Sequence, residues 1–278
     1  MTIFTQPLSL TAGSTGSKLL FEDTFTSLSL SNYVTGTTGT WQLGGRSYQA
    51  AGIADQSQGY DVNPFNPQTP FYTASLINGG GIQLKIMQTP SQYAAACDNM
   101  PYSCAWMSNR LTSTTQYGYY EANIAYNMIR GCNGSFWLQP SSGTWPPEID
   151  AIEADYNAPS GGGLVYVHNV YSMDQSALSS FYDYDQSSGS GGSGSYTGKI
   201  NMATYNSYGV NFQADYCTFY FNRVMTEKIA TPSGYDQTMY IILSMEAGND
   251  TTGPIVSNVG IPATMNVQYV RVWDTLPF

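Results

Sequence analysis

The chain predicts a single all-β protein, a large sandwich of two antiparallel sheets, on three observations. Short stretches alternating apolar and polar residues, bounded by Gly, Pro, Asn, Ser and Thr, recur from residue 20 to residue 273. Few windows place apolar residues at helical spacing, and no internal repeat of solenoid length is present. No linker divides the strand-like stretches, so the 278 residues read as one domain, although ~150 residues per domain is the usual prior.

The elements follow in order. Residues 1–18, rich in Ser and Thr, form a flexible lead-in to a domain spanning 19–278. Gly81-Ile-Gln-Leu-Lys-Ile86 alternates cleanly after a Gly-rich turn. Gly118-Tyr-Tyr-Glu-Ala-Asn-Ile-Ala125, Cys217-Thr-Phe-Tyr-Phe-Asn222 and Met265-Asn-Val-Gln-Tyr-Val-Arg-Val-Trp273 alternate in the same way. Ser187 to Gly198 has the composition of a linker, but strand patterns resume on both sides. It therefore reads as a mobile surface loop inside the domain.

Composition excludes several functions. Lys plus Arg number 9 against 19 Asp plus Glu, a net charge of −10, which cannot match a phosphate backbone, so nucleic acid is not an expected partner. The densest apolar run, Met239-Tyr-Ile-Ile-Leu243, is strand-sized, well short of the ~18 residues of a membrane span. A membrane partner is therefore not expected either. The single histidine, His168, lies in the apolar run Leu164-Val-Tyr-Val-His-Asn. It cannot form a His-cluster metal site, and it argues against a Ser-His-Asp triad. Cys97 and Cys104 bracket a short loop that a disulfide would close in an oxidising compartment, whereas Cys132 and Cys217 read as buried free thiols. Residues 1–18 show no basic start followed by an unbroken apolar run, so no leader is visible there.

One segment stands apart: Trp145-Pro-Pro-Glu148-Ile149-Asp150-Ala151-Ile152-Glu153-Ala154-Asp155 places four acids between positions 148 and 155. On a regular strand Glu148 and Asp150 share a face and Glu153 points the other way. One β-bulge between Asp150 and Glu153 would bring all three to one side and turn Ile149 and Ile152 to the core. The two Glu would then stand four strand steps apart, roughly 13 Å along the backbone. Paired carboxylates of this kind suit glycosidic cleavage, one as base or nucleophile and one as acid. A solvated acidic face and a calcium ligand cluster are the competing readings.

The surrounding blocks resemble glycoside hydrolase family 16. Glu148-Ile-Asp150-Ala-Ile-Glu153 matches the E-[aliphatic]-D-x-[aliphatic]-E signature of its bulged-strand members, including laminarinase-like and bacterial exopolysaccharide hydrolases. Leu20-Phe-Glu-Asp-Thr-Phe25, Asn109-Arg-Leu-Thr-Ser with Gln116-Tyr-Gly-Tyr-Tyr-Glu121, and Ser135-Phe-Trp-Leu-Gln-Pro140 before Trp145-Pro-Pro-Glu148 fall in the family's order. Tyr208-Gly-Val, Met239-Tyr-Ile-Ile-Leu and Tyr269-Val-Arg-Val-Trp273 follow. The resemblance implies a concanavalin-like β-jelly roll with a concave substrate cleft and retaining, endo-acting hydrolysis of a β-linked polysaccharide. It implies Glu148 as nucleophile, Glu153 as general acid/base and Asp150 as the carboxylate assisting the nucleophile. It places Trp145, Trp137, Asn109 and Arg110 along the cleft, with core packing an open alternative for Trp137. A secreted monomer that requires no cofactor is expected.

This chain departs from the family pattern at several positions. Asn133 stands where many relatives have an aromatic, Asn206 where they have His, and Gln268 where they have a calcium-ligating Asp. A neutral amide is a poor ligand for a hard cation, so structural calcium is doubtful, with Glu22 the one remaining candidate ligand. Acidic charge points to a neutral gluco- or galacto-glycan as substrate, such as β-1,3 or mixed-linkage glucan or an exopolysaccharide, unless Arg46, Arg110 or Arg130 builds a local basic pocket. The alternative function is a carbohydrate-binding or matrix-adhesion protein on the same fold. Two buried carboxyls that cost desolvation argue against it.

Overall fold

The computed structural model describes residues 16–32, 39–44, 53–55, 58–156, 164–180, 183–184, 201–248 and 253–278. Most of the lead-in, Arg46 and the Ser187–Gly198 segment lie outside the described residues. The first strands are β1 (Leu19–Asp23), β2 (Leu30–Asn32), β3 (Trp41–Leu43), β4 (Ile53–Asp55), β5 (Gly59–Asp61), β6 (Ala74–Leu76) and β7 (Ile82–Gln88). The middle of the chain supplies β8 (Tyr102–Ser108), β9 (Gly118–Asn127), β10 (Cys132–Pro140), β11 (Glu148–Tyr156) and β12 (Leu164–Tyr171). Then come β13 (Ala177–Ser180), β14 (Asp183–Tyr184), β15 (Asn206–Phe212), β16 (Tyr216–Phe221), β17 (Val224–Ala230), β18 (Met239–Ala247) and β19 (Ala263–Trp273).

Two sheets face each other. One runs β6–β7–β19–β9–β15–β16–β17, with β1 beside the end of β19. The other runs β3–β8–β18–β10–β11–β12, with β13 and β14 on its outer edge and β2 parallel to β3. The end of β7 pairs with the start of β8 and links the two. This is an all-β jelly-roll sandwich.

Alternation explains why these residues form these strands. Tyr120, Ala122, Ile124 and Tyr126 of β9 meet Cys132, Phe136 and Leu138 of β10 in one core, and both strands turn polar residues the other way. β18 is buried on both faces, which is why its sequence reads as an apolar run. Gly134 leaves room for neighbours from both sheets. A Cβ there would lie 2.9 Å from both Met245 Sδ and Tyr126 Cε1.

One expectation is corrected. The strand from Met265 to Trp273 does not alternate cleanly: its pairing with β9 slips between Val267 and Tyr269. Val267 and Val270 both enter the core, and Gln268 is left exposed on the bulge. The question left open at Cys97 and Cys104 is answered: the two form no disulfide here, and all four cysteines are buried thiols. Cys97 hydrogen-bonds the Ser103 side chain and packs with Tyr60 and Val62. Alternation turns the next residue, Cys104, to the opposite face and into the main core.

The residues implied for calcium do not fit it. Glu22 Oε1 accepts Arg271 Nε at 2.7 Å, and Gln268 brings only a neutral amide. Among the described residues no group of three or more His, Cys, Asp or Glu is placed to hold a metal ion. No helix among them is long and apolar enough to cross a membrane.

Candidate active site

The bulge that the acid spacing requires is present in β11. Pairing with β12 slips between Asp150 and Glu153, and Phe136 faces Ile152 while Trp137 faces Asp150. Ala151 is therefore the extra residue, and it joins Ile149, Ile152 and Ala154 in the core. Glu148, Asp150, Glu153 and Asp155 consequently all project from the face turned away from the core. Without the bulge, period two would have driven Glu153 inward.

Cross-strand neighbours arrange this face in rows. Glu148 lies opposite Tyr171, and Asp150 opposite Trp137 and Asn169. Glu153 lies between Ser135 and Val167, and the row continues through Ser244 to Trp106. Asp155 lies opposite Asn133, whose other neighbour is Glu246.

The two Glu are held differently. Glu148 is half-buried, and its Oε2 accepts Trp145 Nε1 at 2.9 Å and Gln139 Nε2 at 3.3 Å. The Tyr235 hydroxyl accepts the Glu148 backbone N–H at 3.2 Å and reaches the carbonyl oxygens of Glu148 and Tyr171. Two N–H donors on one oxygen suit an ionised carboxylate. Among the described residues no cation offsets the acids around Glu153. Desolvation first, then the charges of Asp155, Glu148 and Glu246, push it up to about 8, against the lowering effect of a hydrogen bond from Asn169. Asp150 is raised by burial and then by Glu153 and Glu148, and its Oδ2 has no hydrogen-bond partner among the described groups. The site thus sets a carboxylate held by N–H donors, Glu148, beside two carboxyls, Asp150 and Glu153, whose hold on a proton is strengthened by burial and by their acidic neighbours.

Aromatic rings flank the acids. Trp145 is 44% exposed, with its ring 5.8 Å from that of Tyr171. Trp137 is only 7% exposed, donates Nε1–H to Ser244 Oγ at 3.1 Å and meets Trp106 edge-on at 6.5 Å. With Trp106, Tyr240 and Ile242 it forms a small cluster separate from the main core, on the acid-bearing face. Trp137 is thus packed, on the acid-bearing face rather than in the main core. The Asn109 side-chain oxygen accepts the Ile241 backbone N–H at 2.7 Å, so that atom secures the end of β8 against β18. Arg110 follows it half-buried, and Arg130 lies over the Tyr156 ring at 5.6 Å. His168 is fully buried, stacked 4.2 Å from Phe219 and pushed down to about 3 by desolvation.

Sequence reasoning missed Glu246, Tyr235, Tyr171 and Asn169, and it assigned Asp155 no role. Glu246 had a legible signal, as an acid interrupting the apolar strand Ile241-Ile-Leu-Ser-Met-Glu-Ala247. Asn169 and Tyr171 are brought to the motif by the pairing of β12 with β11, and Tyr235, between β17 and β18, reaches it through its hydroxyl.

A β-sandwich with carboxyls in rows on its outer face, rimmed by indole rings, defines a class of carbohydrate-active proteins. The model of glycosyl hydrolases family 16 matches residues 71–259. Two relatives from Rhizobium meliloti, the endo-1,3-1,4-beta-glycanases EglC and ExsH, are 24% and 22% identical over 258 and 257 residues. Each alignment takes in 91% of this chain and 51% of the relative, so the chain spans about half their length. The laminarinase from Rhodothermus marinus superposes with TM-score 0.67 at 17% identity, covering 93% of this chain and 97% of that one. SCLam, a non-specific endo-beta-1,3(4)-glucanase, gives 0.70 at 17% identity over 94% and 92%. The chain belongs to glycosyl hydrolases family 16.

Proposed function

We propose that the chain is a retaining, endo-acting β-glycan hydrolase whose substrate is a neutral gluco-polysaccharide with β-1,3 or mixed β-1,3-1,4 linkages. The observation that carries this reading is the asymmetry of the two Glu: donors converge on Glu148, while Glu153 is desolvated and ringed by acids. Glu148 attacks the sugar carbon. Glu153 gives its proton to the leaving oxygen and later takes one from the incoming water. Asp150, whose proton affinity is raised by burial and by both Glu, stands between them as the assisting carboxyl. The acidic floor and the net charge of −10 disfavour sulfated or uronate-rich chains. The names of the two Rhizobium meliloti relatives support the linkage, and an exopolysaccharide backbone belongs to the same chemical class.

Reducing-end release from lichenan and laminarin, with carrageenan and alginate beside them, tests the substrate; faster cleavage of either polyanion contradicts it. Glu148→Ala is expected to abolish turnover and to yield, with azide and an activated glycoside, a glycosyl azide of inverted configuration. Glu153→Ala should lose lichenan but keep aryl glycosides with good leaving groups, which need no protonation. Full activity of Glu153→Ala on lichenan reverses the assignment.

A further inference from the structure

The three acids of the motif leave unexplained the polar residues at one end of the same face. Asp155 lies two positions beyond Glu153, about 7 Å along the strand. Its Oδ1 accepts Asn133 Nδ2 at 2.6 Å, and Asn133 Oδ1 accepts the Ser135 hydroxyl at 2.9 Å. Asn133 and Asp155 are 2% and 3% exposed. Ser135 is the cross-strand neighbour of Glu153, and Asn133 is that of Asp155. A fixed chain of hydrogen bonds thus runs from beside the general acid to a second buried carboxyl.

We propose that Asp155 is a positioning residue: a carboxylate fixed by Asn133 so that its negative charge keeps the proton on Glu153 until the leaving oxygen takes it. The inference rests on the general-acid role of Glu153 proposed above. During the step the glycosidic C–O bond breaks, the Glu153 proton goes to the departing oxygen, and a Glu148 oxygen bonds to the sugar carbon. Asp155 stays charged throughout.

The charged surroundings of Glu153 support this. Among the described residues, the titratable groups facing it are Glu148, Asp150 and Asp155 on β11 and Glu246 on β18. Strands β10 and β12 present only the neutral Asn133, Ser135, Val167 and Asn169. Asp155 has the largest charge effect on Glu153. Burial raises Asp155 itself to about 6, and the Asn133 N–H holds it from rising further. Between about 6 and about 8, Asp155 is charged and Glu153 still carries its proton. A neutral Asn at 155 would satisfy Asn133 equally well without the desolvation cost of a buried carboxylate, so the charge calls for a role.

The test is a carbon-13 NMR titration of carboxyl-labelled protein without substrate, the Glu153 signal assigned by its loss in Glu153→Gln. Asp155→Asn is expected to lower the Glu153 midpoint by about one pH unit or more. The alkaline limb of kcat/KM on lichenan should move down with it, and Asp155→Glu should restore both. Asn133→Ala, which removes the N–H that favours the charged form of Asp155 but keeps its carboxyl, should move the midpoint the same way by less. An unmoved midpoint in folded Asp155→Asn overturns the proposal; if that variant does not fold, an unmoved midpoint in Asn133→Ala does so. Should Glu153→Ala retain lichenan turnover, the general-acid reading fails instead, whatever the titration shows.

Discussion

Glu148 and Glu153 are the same residue type on one strand, and their neighbours separate their work. The Trp145 indole reaches Glu148 from an exposed position, so under the proposed mechanism a single side chain would both donate to the nucleophile and offer a ring face to sugar. The two contributions can be separated. Trp145→Phe keeps a ring and removes the N–H; losing one exposed, charge-assisted hydrogen bond of about 1–1.5 kcal/mol should lower kcat five- to tenfold. Trp145→Ala should in addition raise KM for polysaccharide. Steady-state kinetics on lichenan read both, and a Trp145→Phe enzyme with unchanged kcat would remove the donor from the mechanism.

At the scale of the element, β11 depends on one extra residue. Because Ala151 is the bulged position, deleting it leaves Glu148, Asp150, Glu153 and Asp155 in phase on a regular strand, with the two Glu still four steps apart, roughly 13 Å. Adding a glycine after Ala151 also restores phase, but at six steps, roughly 20 Å, and this separates the acids. The deletion variant is therefore expected to keep measurable lichenan hydrolysis and the insertion variant none, with both monitored for folding by circular dichroism. Equal loss of activity in the two folded variants would mean that the bulge itself, and not the separation, sets the geometry. The Glu–x–Asp–x–x–Glu spacing made this bulge readable in advance. The second bulge, at Gln268, was not readable, because Tyr269 and Val270 are both acceptable on either face of a strand and only the pairing with β9 decides between them.

At the scale of the molecule, crowding carboxyls on one face links stability to pH. A carboxyl whose folded pKa is raised binds more protons folded than unfolded, so its contribution is fullest below about 4 and is lost as pH rises towards the folded value. Asp155 therefore acts up to about 6 and Glu153 up to about 8, in overlapping windows that both open near 4, with Asp150 shifted in the same direction. His168, lowered to about 3, works with the opposite sign between about 3 and its ordinary value of 6.5. Below 6.5 the two effects oppose each other. Between 6.5 and 8.5 Glu153 acts without His168 and beyond the Asp155 window, and the urea midpoint is expected to fall. Glu153→Gln should flatten that fall, and a midpoint that rises through this range would contradict the burial assigned to the cluster.

By itself the sequence determined the all-β class, the strand periods, the acid motif and the parity that demands a bulge, since these are local properties of alternation and spacing. It identified His168 as a poor catalytic base, because an apolar run on both sides buries it. Only the tertiary structure decided that Cys97 and Cys104 face apart, that Glu22 is taken by Arg271, and that the Asn109 oxygen belongs to the backbone of Ile241. It also brought Glu246, Asn133 and Asn169 around Glu153 from three other strands. The physical reason is the same in each case. Period-two alternation tells which residues share a face of one strand, but the neighbour across the sheet is set by strand order and register, which arise from closing the whole sandwich.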